Sequence, residues 1–197
     1  MLNKIRRAVS KLKSGAYAAE LKLRGVALGE EPYISGRPVV TVHPDSEARI
    51  GARVVLESSC RAQIIGVQQP IVLRAVGAGA SLIIGDDCGM SGCTIVAASS
   101  ITIQDGCLVG SGAMILDSNM HPTHSINRRY EPRPATKAND AVVLERNVFV
   151  GSRAIILAGS RVGENSVIAA GSVVRGQFPA NSLIAGNPAK VVGQVKV

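Results

Sequence analysis

From Leu144 onward an aliphatic residue returns at every sixth position: Leu144, Val150, Ile156, Val162, Ile168 and Val174. Two positions before the last five stand Val148, Ala154, Ser160, Ser166 and Ser172, most of them small, and Gly151, Gly163 and Ala169 directly follow three of the aliphatics. Upstream the same step links Ile84, Met90 and Val96, slips by one residue, and resumes at Ile103, Val109 and Ile115. Ile50 with Gly51, and Ile65 with Gly66, read as earlier and less regular coils. A step of six is neither the helical period nor the alternation of a simple strand. It fits a short strand plus a turn, three such units closing a triangular coil of about 18 residues. Each hexad aliphatic then points into the prism, and the small residue two earlier fits the tight corner. Stacked coils bury a continuous aliphatic ladder while the backbone bonds to the coils above and below.

Where the rhythm stops, other elements are predicted. Residues 1–24 read as an amphipathic helix, with Leu2, Ile5, Val9, Leu12, Ala16 and Ala19 at three- and four-residue steps. Seven basic residues (Lys4, Arg6, Arg7, Lys11, Lys13, Lys22 and Arg24) fill much of the rest, against Glu20 as the single acid. Two readings stay open for it: a cap on the solenoid end with a solvated basic face, or a peripheral membrane contact. Pro32, Gly36 and Pro38 punctuate an irregular lead-in, so residues 1–38 are taken as helix plus lead-in and 39–176 as the solenoid. Inside it, residues 117–141 lose the hexad step and hold Pro122, Pro132 and Pro134, two His, and four basic residues, Arg128, Arg129, Arg133 and Lys137. A loop this long within a compact repeat is expected to have a function. Residues 177–197, broken by Pro179 and Pro188, are predicted to form a C-terminal cap.

Composition sharpens this picture. Aromatic residues are 3% of the 197, with no Trp, so the core must be filled by stacked aliphatic side chains. The formal net charge of +8 points to an anionic partner, either a phosphorylated ligand or a membrane surface. Nucleic acid is the weakest candidate, because no basic stripe is interleaved with stacking aromatics. Cys60, Cys88, Cys93 and Cys107 include no C-x-x-C pair and sit in aliphatic surroundings, where a thiol behaves as a small apolar residue. No metal site is predicted. Free thiols and the lack of a secretory signal imply a reducing cytoplasm, or its membrane face if the helix binds there.

The segment Ile101–Val192 carries a resemblance. It reads I-T-I-Q-D-G-C-L-V-G-S-G, then N-M-H-P, then V-F-V-G-S-R, V-G-E-N-S-V-I-A-A-G-S-V-V and A-G-N-P-A-K. These motifs resemble the hexapeptide-repeat acyltransferases, in particular sugar and polysaccharide O-acetyltransferases similar to galactoside and maltose acetyltransferases. The resemblance covers about half the chain and implies an all-β fold whose parallel β-helix is left-handed, against the usual crossover rule. It implies acetyl-CoA as co-substrate with no tightly bound cofactor, a sugar-type acceptor, and a homotrimer whose sites lie between subunits. Small residues near the thioester position favour a short acyl chain.

Such a transfer needs a base for the hydroxyl, a donor for the oxyanion and a way to hold both reactants. A neutral imidazole can accept the proton at pH 7, and His121, at the start of the loop and one coil after V-G-S-G, stands where the resemblance puts the catalytic His. His124 is its local rival, and His43 reads as solvated or structural. Asp117 and Asn119 could orient the imidazole, bind the acceptor, or only shape the turn. By resemblance Ser91 faces the acceptor pocket, Ser152 offers its N–H or hydroxyl to the oxyanion, and Gly151 lets the backbone approach the thioester. Phe149 lines the site from an outward position. Ala169 and Ala170 border the pantetheine groove, and Arg175 and Lys190 meet the phosphates.

Two other functions fit the same pattern. An N-acetyltransferase acting on an amino sugar or an antibiotic would use the same His and donor, and a non-catalytic solenoid would use neither. A serine acetyltransferase would need a larger helical N-terminal domain. A carbonic anhydrase would need three separated His ligands, whereas His121 and His124 share one loop and His43 precedes the regular coils.

Overall fold

The structure is a computed structural model that describes residues 2–60 and 65–196, with side chains from residue 8 onward. Among the described residues a single α-helix, α1 (Leu2–Leu23), is followed by six triangular coils. The first coil comprises β1 (Val26–Leu28), β2 (Tyr33–Ser35) and β3 (Val39–Val42), and the second β4 (Glu47–Ile50), β5 (Val55–Glu57) and β6 (Val72–Ala75). The third holds β7 (Ser81–Ile84), β8 (Gly89–Ser91) and β9 (Thr94–Ala97), and the fourth β10 (Ser100–Ile103), β11 (Leu108–Val109) and β12 (Met114–Leu116). The fifth holds β13 (Val142–Leu144), β14 (Phe149–Val150) and β15 (Ile155–Ile156), and the sixth β16 (Arg161–Val162), β17 (Val167–Ile168) and β18 (Val173–Val174). A partial coil, β19 (Gln177–Phe178) and β20 (Ser182–Gly186), stacks on the sixth, and β21 (Ala189–Gln194) folds back antiparallel on β20. Corresponding strands of successive coils pair in parallel, giving three sheets of seven, eight and six strands. The fold is a left-handed parallel β-helix preceded by α1.

The hexad ladder is the core. Leu144, Val150, Ile156, Val162, Ile168 and Val174 are all fully buried, as are the small residues two positions before them. Each aliphatic so buried stabilises the fold by about 1.5–3 kcal/mol. The corner between the first and second sheets shows why certain residue types recur. One residue there adopts a positive φ on coil after coil: Arg53, Asp87, Gly106, Asn147, Asn165 and Asn181. Glycine takes that conformation without cost, and Asn and Asp tolerate it better than other side chains. Stacking also lets Asn147 Nδ2 donate to Asn165 Oδ1 at 2.9 Å.

Five expectations are corrected. The coils begin at Val26, so residues 26–38 carry β1 and β2 rather than an irregular lead-in; Gly29, Pro32, Gly36 and Pro38 mark the corners between β1, β2 and β3. Parallel stacking also continues past residue 176 through β20 before the cap folds back. In the third coil the inward residue is Ile95, not Val96, because a corner of only Gly92 and Cys93 brings the slip forward. Ile65 and Gly66 are no coil. They lie in a second insertion, residues 58–71, where Ile65 is 70% exposed.

The fifth correction concerns α1. It covers the open first coil, as a cap should, but with a different face from the one its apolar spacing suggests. Leu21 is buried, and Tyr17 and Ala18 pack on the core. Ser14 Oγ accepts the Ile34 N–H at 2.8 Å and donates to the Pro32 carbonyl at 3.3 Å. Glu20 receives Arg37 (Nη2–Oε1 2.8 Å) and Arg24 (Nε–Oε1 3.0 Å), which pins the helix end to the first coil. The Arg37 hydrogen bond, followed by that of Arg24, holds the Glu20 carboxyl below its ordinary range. Val9, Leu12, Ala16 and Ala19 face away from the solenoid. Spacing alone cannot choose a face when small residues such as Ser14 and Ala18 fit a crowded contact better than leucine.

Candidate active site

The long loop 117–141 leaves the prism between β12 and β13, at the corner joining the third sheet to the first. Its only regular piece is a 3-10 turn at Ala138–Asp140. At its root, Asp117 is fully buried, and its carboxylate accepts the backbone N–H groups of Ala98, Ser99 and Ser100, each at 2.7 Å. Those three residues form the same corner one coil earlier. Asp117 is therefore a corner staple, the turn-shaping role of the three open to it, rather than an acceptor ligand or a partner of His121. The loop then folds over a groove of about 680 Å³, lined by Asn119, His124, Arg133, Lys137, Asp140 and Arg175 among others. His121 is exposed and stands outside that lining, while its neighbour Pro122 is part of it.

A second groove runs along the corner joining the second sheet to the third. One part, of about 480 Å³, is lined by Ser111, Gly112, Ser152, Arg153, Ala170 and Gly171, with Ile65, Gly66 and Gln68 of the 58–71 insertion at its side. The adjoining part, of about 500 Å³, shares Ile65, Ser111 and Ser152, and adds Met90, Ser91, Leu108 and Phe149. Phe149 is 44% exposed and points outward from β14. The insertion is held there in part by Ser111 Oγ, which donates to the Gly66 carbonyl at 3.1 Å.

Within this corner the predicted residues divide. Ser152 is half-buried, and its carbonyl accepts the Gly171 N–H at 2.9 Å. Among the described residues no hydrogen bond engages its own N–H or hydroxyl. Gly151 and Ala169 are committed to the ladder instead: the Gly151 N–H bonds the Ile168 carbonyl and the Ala169 N–H the Ile184 carbonyl, both at 2.8 Å. The close approach that Gly151 permits is to the next coil. A Cβ on it would lie 2.5 Å from Ala170 N and 2.7 Å from Ile168 O. Gly151→Ala is therefore expected to cost about 1–3 kcal/mol by overpacking backbone against backbone, seen as a lower melting temperature in calorimetry. Ala170 is exposed and lines the groove. Lys190 pairs with Ala185, one coil beyond Ala169 at the same corner. Arg175 belongs to the other groove, with Asn119, so one chain does not bring it to Ala170.

Two features escaped the sequence reading. Ile65, Gly66 and Gln68, between β5 and β6, flank the second groove, yet the hexad-like signal there, Ile-Gly, imitates a coil. Glu57 is a buried carboxylate bordering the same groove, with Oε1 accepting the Ser59 N–H at 2.8 Å. Its place at a strand end gives no periodic signal. The three buried thiols offer no nucleophile: burial pushes Cys93 up to about 12, and Cys88 and Cys107 are spent on carbonyls of the adjacent coil.

Residues 141–176 match the model of the bacterial transferase hexapeptide (six repeats). The repeat is the bacterial transferase hexapeptide, and the fold is that of the left-handed β-helix acyltransferases. Over 102 residues this hexapeptide-repeat chain is 34% identical to the putative lipopolysaccharide biosynthesis O-acetyl transferase WbbJ of Escherichia coli K12. That match takes in 50% of this chain and 52% of WbbJ, so the chain spans about half the length of that relative. Among solved structures, AntD, an N-acyltransferase of Bacillus cereus in complex with dTDP and 3-hydroxybutyryl-CoA, superposes with a TM-score of 0.66. Its identity is 16%, over 91% of this chain and 88% of AntD. A hexapeptide-repeat acetyltransferase of Vibrio cholerae complexed with acetyl-CoA superposes at 0.60, with 21% identity over 94% of this chain and 79% of that one.

Proposed function

We propose that the protein transfers an acetyl group from acetyl-CoA to a hydroxyl of a sugar or polysaccharide precursor. The observation that carries this reading is the division of the chemistry between two corners. A loop histidine stands at one, and a small-residue groove ending at an unengaged Ser152 runs along the other. The similarity to WbbJ, an O-acetyl transferase by name, and the acetyl-CoA held by the Vibrio cholerae protein support the donor and the acceptor class.

The pantetheine arm of the donor lies along the groove beside Ala170, with its phosphates toward Lys190 and the thioester at Ser152. The His121 imidazole takes the proton of the acceptor hydroxyl as its oxygen attacks the thioester carbonyl. The Ser152 N–H or hydroxyl stabilises the oxyanion. The tetrahedral intermediate then collapses, the C–S bond breaks, and the imidazolium returns its proton to the departing thiolate. Products are the acetyl ester and free coenzyme A, with His121 restored.

Because His121 and Ser152 occupy different corners, the complete site joins His121 of one chain to Ser152 and Ala170 of the next, in a cyclic homotrimer. An outward column on the second sheet supports association. Tyr33, Val55, Leu108, Phe149 and Leu183 stand in register on it and are all exposed in the single chain. In this arrangement Arg175, which shares a groove with Asn119, accompanies the histidine side and can meet the neighbour's coenzyme A.

N-acylation is the second reading, favoured by the similarity of the fold to AntD. Thiol release from acetyl-CoA, followed over matched hydroxyl and amine acceptors, decides between them. Faster turnover of hydroxyl sugars is expected, and preference for amines moves the assignment to the second reading. Acetyl-CoA that fails to bind in calorimetry would leave only a solenoid scaffold.

A further inference from the structure

The face that α1 turns away from the solenoid is apolar where a solvated face should be polar. Val9 is 45% exposed, Leu12 77% and Leu23 88%, and Ala16 and Ala19 lie open between them. Their spacing is three, four, three, four, so at about 100° per residue they form one strip within about 80°, centred roughly 180° from the packed face of Ser14, Tyr17, Ala18 and Leu21. In sequence the same steps continue back through Ile5 and Leu2. Exposed lysines and an arginine flank the strip on both sides, Lys11 and Lys22 on one and Lys13 and Arg24 on the other. The single acid of this stretch, Glu20, is already held by Arg24 and Arg37.

An apolar strip between two basic rows is the form of a helix that lies in the plane of a bilayer. Leucines enter the acyl boundary, and long basic side chains reach out to anionic headgroups. We propose that the outward face of α1 docks this protein on an anionic bilayer surface. Charge selects this occupant over a second copy of the chain, since basic rows on both partners would repel along such a contact. It also fits the cap geometry: Ser14 and Leu21 fix the helix to the first coil, so docking needs no unpacking and presents the solenoid end-on to the membrane. Among the described residues no helix is long and apolar enough to cross a membrane, and this contact does not require one. The inference stands apart from the acyl-transfer reading, because it uses no residue of either groove.

Vesicle sedimentation of the full chain tests it, using phosphatidylcholine alone and phosphatidylcholine mixed with phosphatidylglycerol. Binding to the mixed vesicles is expected to be at least about tenfold tighter and to weaken with added salt. Lys11→Ala is expected to weaken it about fivefold, and Leu12→Glu by about tenfold or more, with the thermal melt unchanged because both side chains are solvent-facing. Equal binding to both vesicles, or full binding by Leu12→Glu, would overturn the proposal. So would a Leu12→Glu protein that changes its oligomer size while its vesicle binding stays the same, since the strip would then be a contact between copies.

Discussion

His121→Ala is expected to slow acetyl transfer by about 10²- to 10⁴-fold, the usual contribution of a positioned general base. Acetyl-CoA affinity and oligomeric state should stay as they are, since the side chain is exposed and supports no packing. His124→Ala separates the base from its neighbour. His124 lines the groove under the loop while His121 stands outside it, so geometry within one chain would favour His124. The argument for His121 is that a base serving the next subunit's thioester must face outward, away from its own groove. Steady-state rates of the two variants decide. A large loss in kcat for His121→Ala, with a KM change at most for His124→Ala, supports the shared site. The reverse ranking would move the chemistry into the loop groove of a single chain and remove the reason for a trimer.

The ladder was legible because burial repeats. Each coil asks the same question of its sixth residue, and Leu144 through Val174 answer it identically. Where corners change length the answer drifts, as at Val96, and where an insertion copies the aliphatic-Gly pair, as at Ile65, periodicity misleads. Helix α1 marks a different limit. Its apolar spacing is real, but a surface exists for each of two faces, and the sequence does not say which one meets protein. The site divides in the same way. His121, Ser152, Ala170 and Phe149 are legible as a motif, yet a linear pattern cannot tell a side chain that meets a ligand from one that holds a corner. Asp117, Gly151 and Ala169 hold corners, because their polar groups are consumed by neighbouring coils or their missing Cβ makes room for one.

Asp117 turns that distinction into a measurement. Its carboxylate is fully buried and receives three backbone N–H groups at 2.7 Å. Alanine would leave all three donors buried without an acceptor, at about 1–3 kcal/mol each before relaxation and entering water. The net loss expected for Asp117→Ala is about 3–5 kcal/mol, a large share of the 5–15 kcal/mol that holds a typical domain together. That variant can fail to fold, so Asp117→Asn carries the test. It keeps the shape and one acceptor oxygen but turns an NH₂ group toward N–H donors. About 2 kcal/mol should be lost, lowering the melting temperature by roughly 4–8 °C for a chain of this size. Below the melt, the acceptor KM should match the native protein, because the carboxylate meets only the corner of the preceding coil. An unshifted melt with a raised acceptor KM would return Asp117 to the binding site. A lowered melt with a lowered kcat and unchanged KM would show something else: that stapling the root of the loop is what sets the position of His121, four residues further on.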